Sequence, residues 1–182
     1  MREKKQLYLL PNGQLDVTLR RICHQLIEDH PQFEDTVMLA IQPRGVFLGR
    51  RIRALLKELF PDFDLPYGEL DVTFQRDDIG RHRMPLVPNQ TRIDFVVEDR
   101  KVILVDDVLY TGRTVRAALD AMLAFGRPRK VDLLTLVDRR RSRHLPIEPS
   151  YTGIQVDTLE SEKVIVRLGE AENEDYIRIE SR

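Results

Sequence analysis

Asp106 and Asp107 stand side by side at the end of an apolar run. Thr111, Gly112, Arg113 and Thr114 follow at once in the segment KVILVDDVLYTGRTVRAALDAM, residues 101–122. These last four sit where a loop enters a helical pattern. Backbone N–H groups at a helix start lack intrahelical partners, and the helix dipole adds to their attraction for an anion. Gly112 lets the backbone curl round a phosphate with no Cβ in the way, and the two threonines add hydroxyl donors. Two carboxylates on the same concave edge suit sugar hydroxyls, which donate hydrogen bonds, and the water shell of a magnesium ion. Together these residues describe a cup for a phosphorylated ribose. Two other phosphate chemistries fail on residue type or place. A P-loop needs a lysine after its glycine, and Arg113 stands there instead. A receiver domain would carry its paired aspartates on its first strand, whereas about a hundred residues of α/β pattern precede these.

The elements that hold the cup can be read from periodicity. Leu15, Leu19, Ile22, Cys23, Leu26 and Ile27 recur on one helical face and predict a helix over roughly 14–29, closed by Pro31. Residues 37–41 read as a short buried strand, Pro43, Arg44 and Gly45 as a sharp turn, and 46–60 as an amphipathic helix. ELDVTF, residues 69–74, alternates as a strand with unlike faces should, and 75–91 reads as a polar, mobile loop. KVILV is apolar throughout, as expected when both sheet faces are covered. The helix after the cup runs from about 114 to 125 and stops at Gly126 and Pro128, and VDLLTLV, 131–137, is the next strand. Strands alternating with helices imply a parallel α/β sheet with right-handed crossovers, whose ligands bind beyond the carboxyl ends of the strands. Arg44, Asp106, Asp107 and Asp138 fall at such ends. From Arg139 onward the chain turns basic and proline-bearing, with VIVRL and YIRIE as short strands of a smaller appended lobe. The expected organisation is one domain over 1–182, its core over about 14–138 and its hood formed largely by 139–182.

Composition sets outer limits. With 182 residues and 42% hydrophobic content the chain can bury one sizeable core. A net charge of -1 gives no overall attraction to nucleic acid, so binding of that kind would need a local basic face. Cys23 is the single cysteine, which rules out an internal disulfide and fits a reducing compartment. The apolar stretch QLYLL near the N-terminus is far short of a signal-peptide core, and no run reaches membrane-spanning length. A cytoplasmic protein with no membrane partner is expected.

VILVDDVLYTGRT strongly resembles the ribose phosphate signature of the type I phosphoribosyltransferases, enzymes that use 5-phosphoribosyl 1-diphosphate (PRPP) with magnesium. RGVFLGRRI, DVTFQRDDI, LVDRR, LPI and SEKVIV are similar, in order, to segments of the bacterial pyrimidine operon attenuation regulators, which are also uracil phosphoribosyltransferases. The resemblance implies their fold: a central, mostly parallel sheet flanked by helices, with a small hood lobe. It implies a reaction of uracil with PRPP to UMP and diphosphate, with Asp106, Asp107, Arg44 and Arg76 as the catalytic set. It assigns Asp106 and Asp107 to the ribose hydroxyls, and Thr111, Gly112, Arg113 and Thr114 to the 5-phosphate. Arg44 and Gly45 match the diphosphate loop, and Arg76 and Asp77 a flexible lid over PRPP on which Arg81, His82 and Arg83 lie further along. Val137, Asp138 and Arg139 are expected against the base, with lobe backbone reading its edge; the sequence names no clear general base for uracil, Asp107 being a candidate by proximity and positioning alone the alternative. Magnesium enters through PRPP and water, with no direct protein ligand. The family's diphosphate loop carries an unusual cis peptide, so Gln42–Pro43 is expected to be cis.

A second activity implied by the resemblance is UMP-dependent binding to the leader mRNA of the pyrimidine operon. Arg20, Arg21 and His24 on the first helix, and Arg140, Arg141 and Arg143 after the 131–137 strand, are the candidate contacts. Gln42, Glu148 and Ile154 stand where relatives tend to carry basic residues. Relatives assemble as homodimers or homotetramers.

Overall fold

In the computed structural model, which describes residues 6–10, 13–62, 64–75, 89–169 and 175–181, the elements run in chain order. They are β1 (Gln6–Tyr8), α1 (Gln14–Asp29), β2 (Thr36–Ile41), α2 (Gly45–Leu59), β3 (Tyr67–Leu70), β4 (Lys101–Leu109), α3 (Arg113–Met122), β5 (Lys130–Arg139), β6 (Tyr151–Val156), β7 (Glu162–Arg167) and β8 (Tyr176–Ser181). Arg76, Asp77, Arg81, His82 and Arg83 lie outside the described residues.

The expected parallel sheet is present as five strands in the order β3-β2-β4-β5-β6, every neighbouring pair parallel. Two apolar clusters cover it. On one face α1 and α2 bring Leu19, Ile22, Leu26, Leu48 and Ile52 against Met38, Ala40, Ile103 and Val105 of the sheet. On the other α3 brings Val115, Ala118 and Met122 against Val37, Leu39, Val102 and Leu104. Burial on both faces explains why β2 and β4 are apolar without alternation. Each fully buried Leu or Ile contributes about 1.5–3 kcal/mol of transfer free energy, so these strands are where the fold's stability concentrates.

The second sheet is antiparallel, in the order β1-β8-β7. Val164, Val166, Ile177 and Ile179 of this small lobe join the apolar cluster on the α1 and α2 face, so lobe and sheet share one core.

Three expectations are corrected. The strand expected over 69–74 ends at Leu70, because Asp71 Oδ1 accepts the Thr73 N–H at 3.1 Å and the Thr73 hydroxyl at 2.6 Å. That local turn draws the chain out of the sheet and into a 3₁₀ turn at Thr73–Gln75. The strand expected to stop at the acids runs through them to Leu109. Beyond residue 139, Tyr151–Val156 lies in the five-stranded sheet, and β1 from the N-terminus completes the small one, so the lobe draws on both ends of the chain. Gly153 permits this pairing. A Cβ there would lie 2.4 Å from the Leu136 carbonyl oxygen.

Candidate active site

The carboxyl ends of β2 and β4 converge because α2 starts hard against β4. A Cβ on Gly45 would fall 2.4 Å from the Val105 carbonyl oxygen and 3.2 Å from the Asp106 Cα, so only glycine allows this approach. At the other side of α2, Arg50 fixes the helix to β3 by donating Nε and Nη2 to Glu69 Oε1 at 3.0 and 2.8 Å. The turn from β2 into α2 carries the cis Gln42–Pro43 peptide that was expected. It sets Arg44 at the entry to α2 with its Nη1 4.0 Å from Asp107 Oδ2.

Both acids are buried, Asp106 at 8% and Asp107 at 6% exposure. Asp106 Oδ1 accepts the Asp107 N–H at 2.9 Å. Burial pushes the Asp107 carboxyl above its ordinary range, against the opposing pull of the Arg44 guanidinium and nearby amide donors. Asp107 Oδ2 is buried with no hydrogen-bond donor on it. An acceptor in that state calls for a donor from outside the chain, and a sugar hydroxyl or an ion-bound water has the right chemistry.

Past Leu109 the chain makes the cup. Gly112 has φ of +89°, and the first intrahelical bond of α3 runs from the Arg116 N–H to the Gly112 carbonyl at 3.0 Å, so the amides of residues 113–115 precede the hydrogen-bonded ladder. Thr111 Oγ1 accepts the Arg113 N–H at 3.4 Å. The carbonyls of the loop are held on the opposite side. His144 and Leu145 donate their N–H groups to the Thr111 carbonyl at 3.0 and 3.2 Å, and Arg143 Nη1 donates to the Tyr110 carbonyl at 2.6 Å. Carbonyls bound from the 143–145 side leave the helix entrance as the electropositive wall of the loop.

Val137, Asp138 and Arg139, expected against a base, end β5 beside β4, with Leu109 in register with Asp138. Val137 is fully buried. The Asp138 carboxylate takes a bond from Arg143 Nη2. Arg139 is turned away from the strand end toward the small lobe, donating to Thr158 Oγ1 at 2.8 Å and to the carbonyls of Glu162 and Leu159 at 3.2 and 3.4 Å. An open cavity of about 680 Å³ adjoins this end of β5, lined by Asp138, Arg143, Ile147 and Gln155 among others. Its size is that of a small-ligand site.

The basic residues singled out for RNA are largely engaged within the fold. Arg20 pairs with Asp16 and Glu58 at 2.8 and 3.0 Å. Arg21 Nη2 donates to the carbonyls of Gly153 and Thr152 on edge strand β6, at 2.6 and 3.1 Å. His24 packs edge-on against Phe60. Arg140 and Arg141 both face Asp157 Oδ2, at 3.2 and 3.5 Å. Arg143 is mostly buried between Tyr110 and Asp138.

Two contacts are not among the sequence expectations. Tyr110 lies between acids and cup with its ring under the Arg139 guanidinium, 4.1 Å from centroid to Cζ. Gln42 donates Nε2 to the Gln90 carbonyl at 2.8 Å, tying the Arg44 turn to the chain that runs antiparallel to β3. The only signal for either was position: one inside the signature, the other beside Pro43.

Comparison with known proteins gives concordant results. The family model described as the phosphoribosyl transferase domain matches residues 8–173. The chain is 43% identical over 161 residues to the protein named bifunctional protein PyrR of Enterococcus faecalis, covering 88% of this chain and 89% of that one. It is 41% identical over 177 residues to that of Desulfosudis oleivorans, 97% of each chain. Among solved structures, a hypoxanthine-guanine phosphoribosyltransferase from Bacillus anthracis superposes with a TM-score of 0.68 over 97% of this chain and 98% of that one, at 17% identity. A hypoxanthine phosphoribosyltransferase from Trypanosoma cruzi with the product IMP superposes at 0.64 over 85% and 76%, at 14% identity. At such identities the structural likeness speaks for the fold.

Proposed function

This chain belongs to the phosphoribosyltransferase family, and from that premise we propose that it transfers the phosphoribosyl group of PRPP to uracil, giving UMP and diphosphate, and that it regulates pyrimidine genes by UMP-dependent binding to their leader mRNA. The observation that carries the catalytic reading is the meeting of Arg44 and the buried Asp107 near the carboxyl ends of β2 and β4, with the 111–114 turn into α3 following directly in the chain. The relatives' name, bifunctional protein PyrR, supports the pairing of two activities.

In the reaction the bond from the ribose anomeric carbon to diphosphate breaks, the bond to uracil N1 forms, and the N1 proton departs. Thr111, Gly112, Arg113 and Thr114 hold the 5-phosphate through hydroxyls and helix-entrance amides. Asp106 and Asp107 orient the ribose hydroxyls, and the unpartnered Asp107 Oδ2 accepts one of them or a magnesium-bound water. Magnesium bound with PRPP would be held through the diphosphate and its own water, near Asp106 and Asp107, and would supply charge neutralisation there. Arg44 draws the departing oxygens, an electrostatic contribution made where charge develops. Arg76 and Asp77 belong to this reading by resemblance. Uracil is placed by resemblance at the end of β5 formed by Val137, Asp138 and Arg139, where Asp138 faces the adjoining cavity while Val137 is enclosed and Arg139 turns to the lobe, and Asp107, its basicity raised by burial, takes the N1 proton.

RNA contact falls to Arg20, Arg21, His24, Arg140, Arg141 and Arg143, of which Arg141 has 78% of its side chain in solvent. The protein works as a homodimer or homotetramer in the cytoplasm; among the described residues no helix is long and apolar enough to cross a membrane.

The test is uracil-dependent release of diphosphate from PRPP, beside titration of pyr leader RNA with and without UMP. Turnover lost in Asp106→Asn, Asp107→Asn with RNA affinity kept supports two separate sites. Absence of turnover in the native chain overturns the enzymatic reading.

A further inference from the structure

Arg139 is the one basic residue of the 139–143 run that is buried, at 5% exposure, and one face, Nε and Nη2 of its guanidinium are all engaged. One face lies on the Tyr110 ring, 4.1 Å from its centroid. Its edges donate to Thr158 Oγ1, to the Leu159 carbonyl and to the Glu162 carbonyl, where β7 begins. Three parts of the molecule meet on this side chain: the residue between acids and cup, the end of β5, and the entry to the small lobe. A planar, always-charged fork that stacks and donates in several directions can do this; a lysine ammonium cannot.

Tyr110 is held from a second direction. Its carbonyl accepts Arg143 Nη1 at 2.6 Å, and the next carbonyl, that of Thr111, takes two amides from residues 144 and 145. The backbone of the cup is therefore fixed without Arg139. Among the described residues it is Arg139 that joins the Tyr110 ring to the lobe.

We propose that Arg139 is a positioning residue, its guanidinium clamped between the Tyr110 ring and the lobe carbonyls so that the lobe is held in register over the ribose phosphate cup and the base meets the anomeric carbon correctly aligned. This rests on the phosphoribosyl transfer reading. It moves Arg139 from a wall of the base site to the part that sets where the base lies. Tyr110 enters the machinery through its ring, as the surface on which the guanidinium is oriented.

The experiment compares the full chain with Arg139→Lys, Tyr110→Phe, Tyr110→Leu and the Arg139→Lys/Tyr110→Leu double variant. Uracil KM and kcat are measured at saturating PRPP, and PRPP affinity is measured by calorimetry without uracil. In Arg139→Lys, kcat/KM for uracil falls about 10- to 100-fold, the scale on which small misplacements of reactants act. PRPP affinity stays within about twofold, because the Arg143 and backbone bonds to the cup are intact. Tyr110→Leu loses uracil efficiency, Tyr110→Phe, which keeps the ring face, loses less than Tyr110→Leu, and the double variant loses little beyond Arg139→Lys alone. Equal loss of PRPP affinity and uracil efficiency, or additive effects in the double variant, overturns the proposal. If Arg139→Lys fails to fold, Thr158→Val removes one lobe acceptor at the surface, and unchanged uracil KM there overturns it as well. A native chain without uracil-dependent turnover sinks the transferase reading first, a result separate from any of these.

Discussion

Arg44 Nη1 and Asp107 Oδ2 lie 4.0 Å apart, the first more than half exposed and the second buried, so one cation at the rim partly offsets the burial of an acid. Removing it leaves the acid to desolvation. In Arg44→Met the Asp107 carboxyl should rise further, and the acid limb of kcat/KM for PRPP, which reports the free enzyme, should move to higher pH. Turnover at neutral pH should drop by about 10²-fold, the usual cost of one preorganised electrostatic donor. A pH–rate profile of both proteins checks this, and superimposable acid limbs would refute the link.

Gly45→Ala should destabilise the fold and disturb the site together. Its Cβ would press at 2.4 Å on the Val105 carbonyl, a backbone atom that cannot swing aside, so α2 or β4 must shift. Overpacking of this kind costs about 1–3 kcal/mol. Urea denaturation should show that loss, and the displaced Asp106 backbone should lower turnover beyond the change in folded fraction.

At the opposite end of the sheet His30 is buried among Tyr151, whose hydroxyl is 3.1 Å from Nε2, Thr36 at 3.5 Å from Nδ1, and Asp132 at 3.8 Å from Nε2. Lys101 and Lys130 also face it, and Asp29 reaches it through Tyr151. Burial lowers its pKa below the ordinary 6.5. The unfolded chain therefore binds a proton at pH values where the folded chain does not. Stability should hold above about pH 6.5 and decline as the pH falls below it, until the folded imidazole also protonates. Denaturation from pH 8 to 5 should show this slope, and His30→Gln should flatten it.

Asp157 faces both Arg140 and Arg141. Neutralising it should strengthen a nearby anion site without touching catalysis. Asp157→Asn should raise leader RNA affinity at low salt and steepen its salt dependence, while Arg140→Gln, Arg141→Gln does the reverse. Filter binding across a salt series decides it; unchanged slopes in both would direct the RNA to α1.

Cys23 is fully enclosed and its thiol is pushed up to about 12 by burial. Alkylation at pH 8 should be negligible in the folded chain and become rapid in denaturant. Reaction of the native protein within minutes would place Cys23 at the surface.

Much of this molecule follows from local pattern. The α1 span 14–29, the apolar strands, the turn at Pro43 and the acids leading into a glycine turn all depend on neighbours within a few residues, which periodicity and residue type express directly, whereas the cis peptide at Pro43 was expected from the family resemblance. Strand β6 and the lobe's use of β1 were not legible, because each depends on a partner far along the chain. The arginines are the sharpest case. As letters, Arg139 to Arg143 are a basic run suited to nucleic acid. In space Arg143 meets Asp138 and Tyr110, Arg140 and Arg141 meet Asp157, and Arg139 meets Tyr110 and the lobe, while Arg21 reaches a carbonyl 132 residues away. A sequence states how many charges a segment carries. Only the packed chain decides which are neutralised, since that depends on which acids and carbonyls folding brings within a few ångströms.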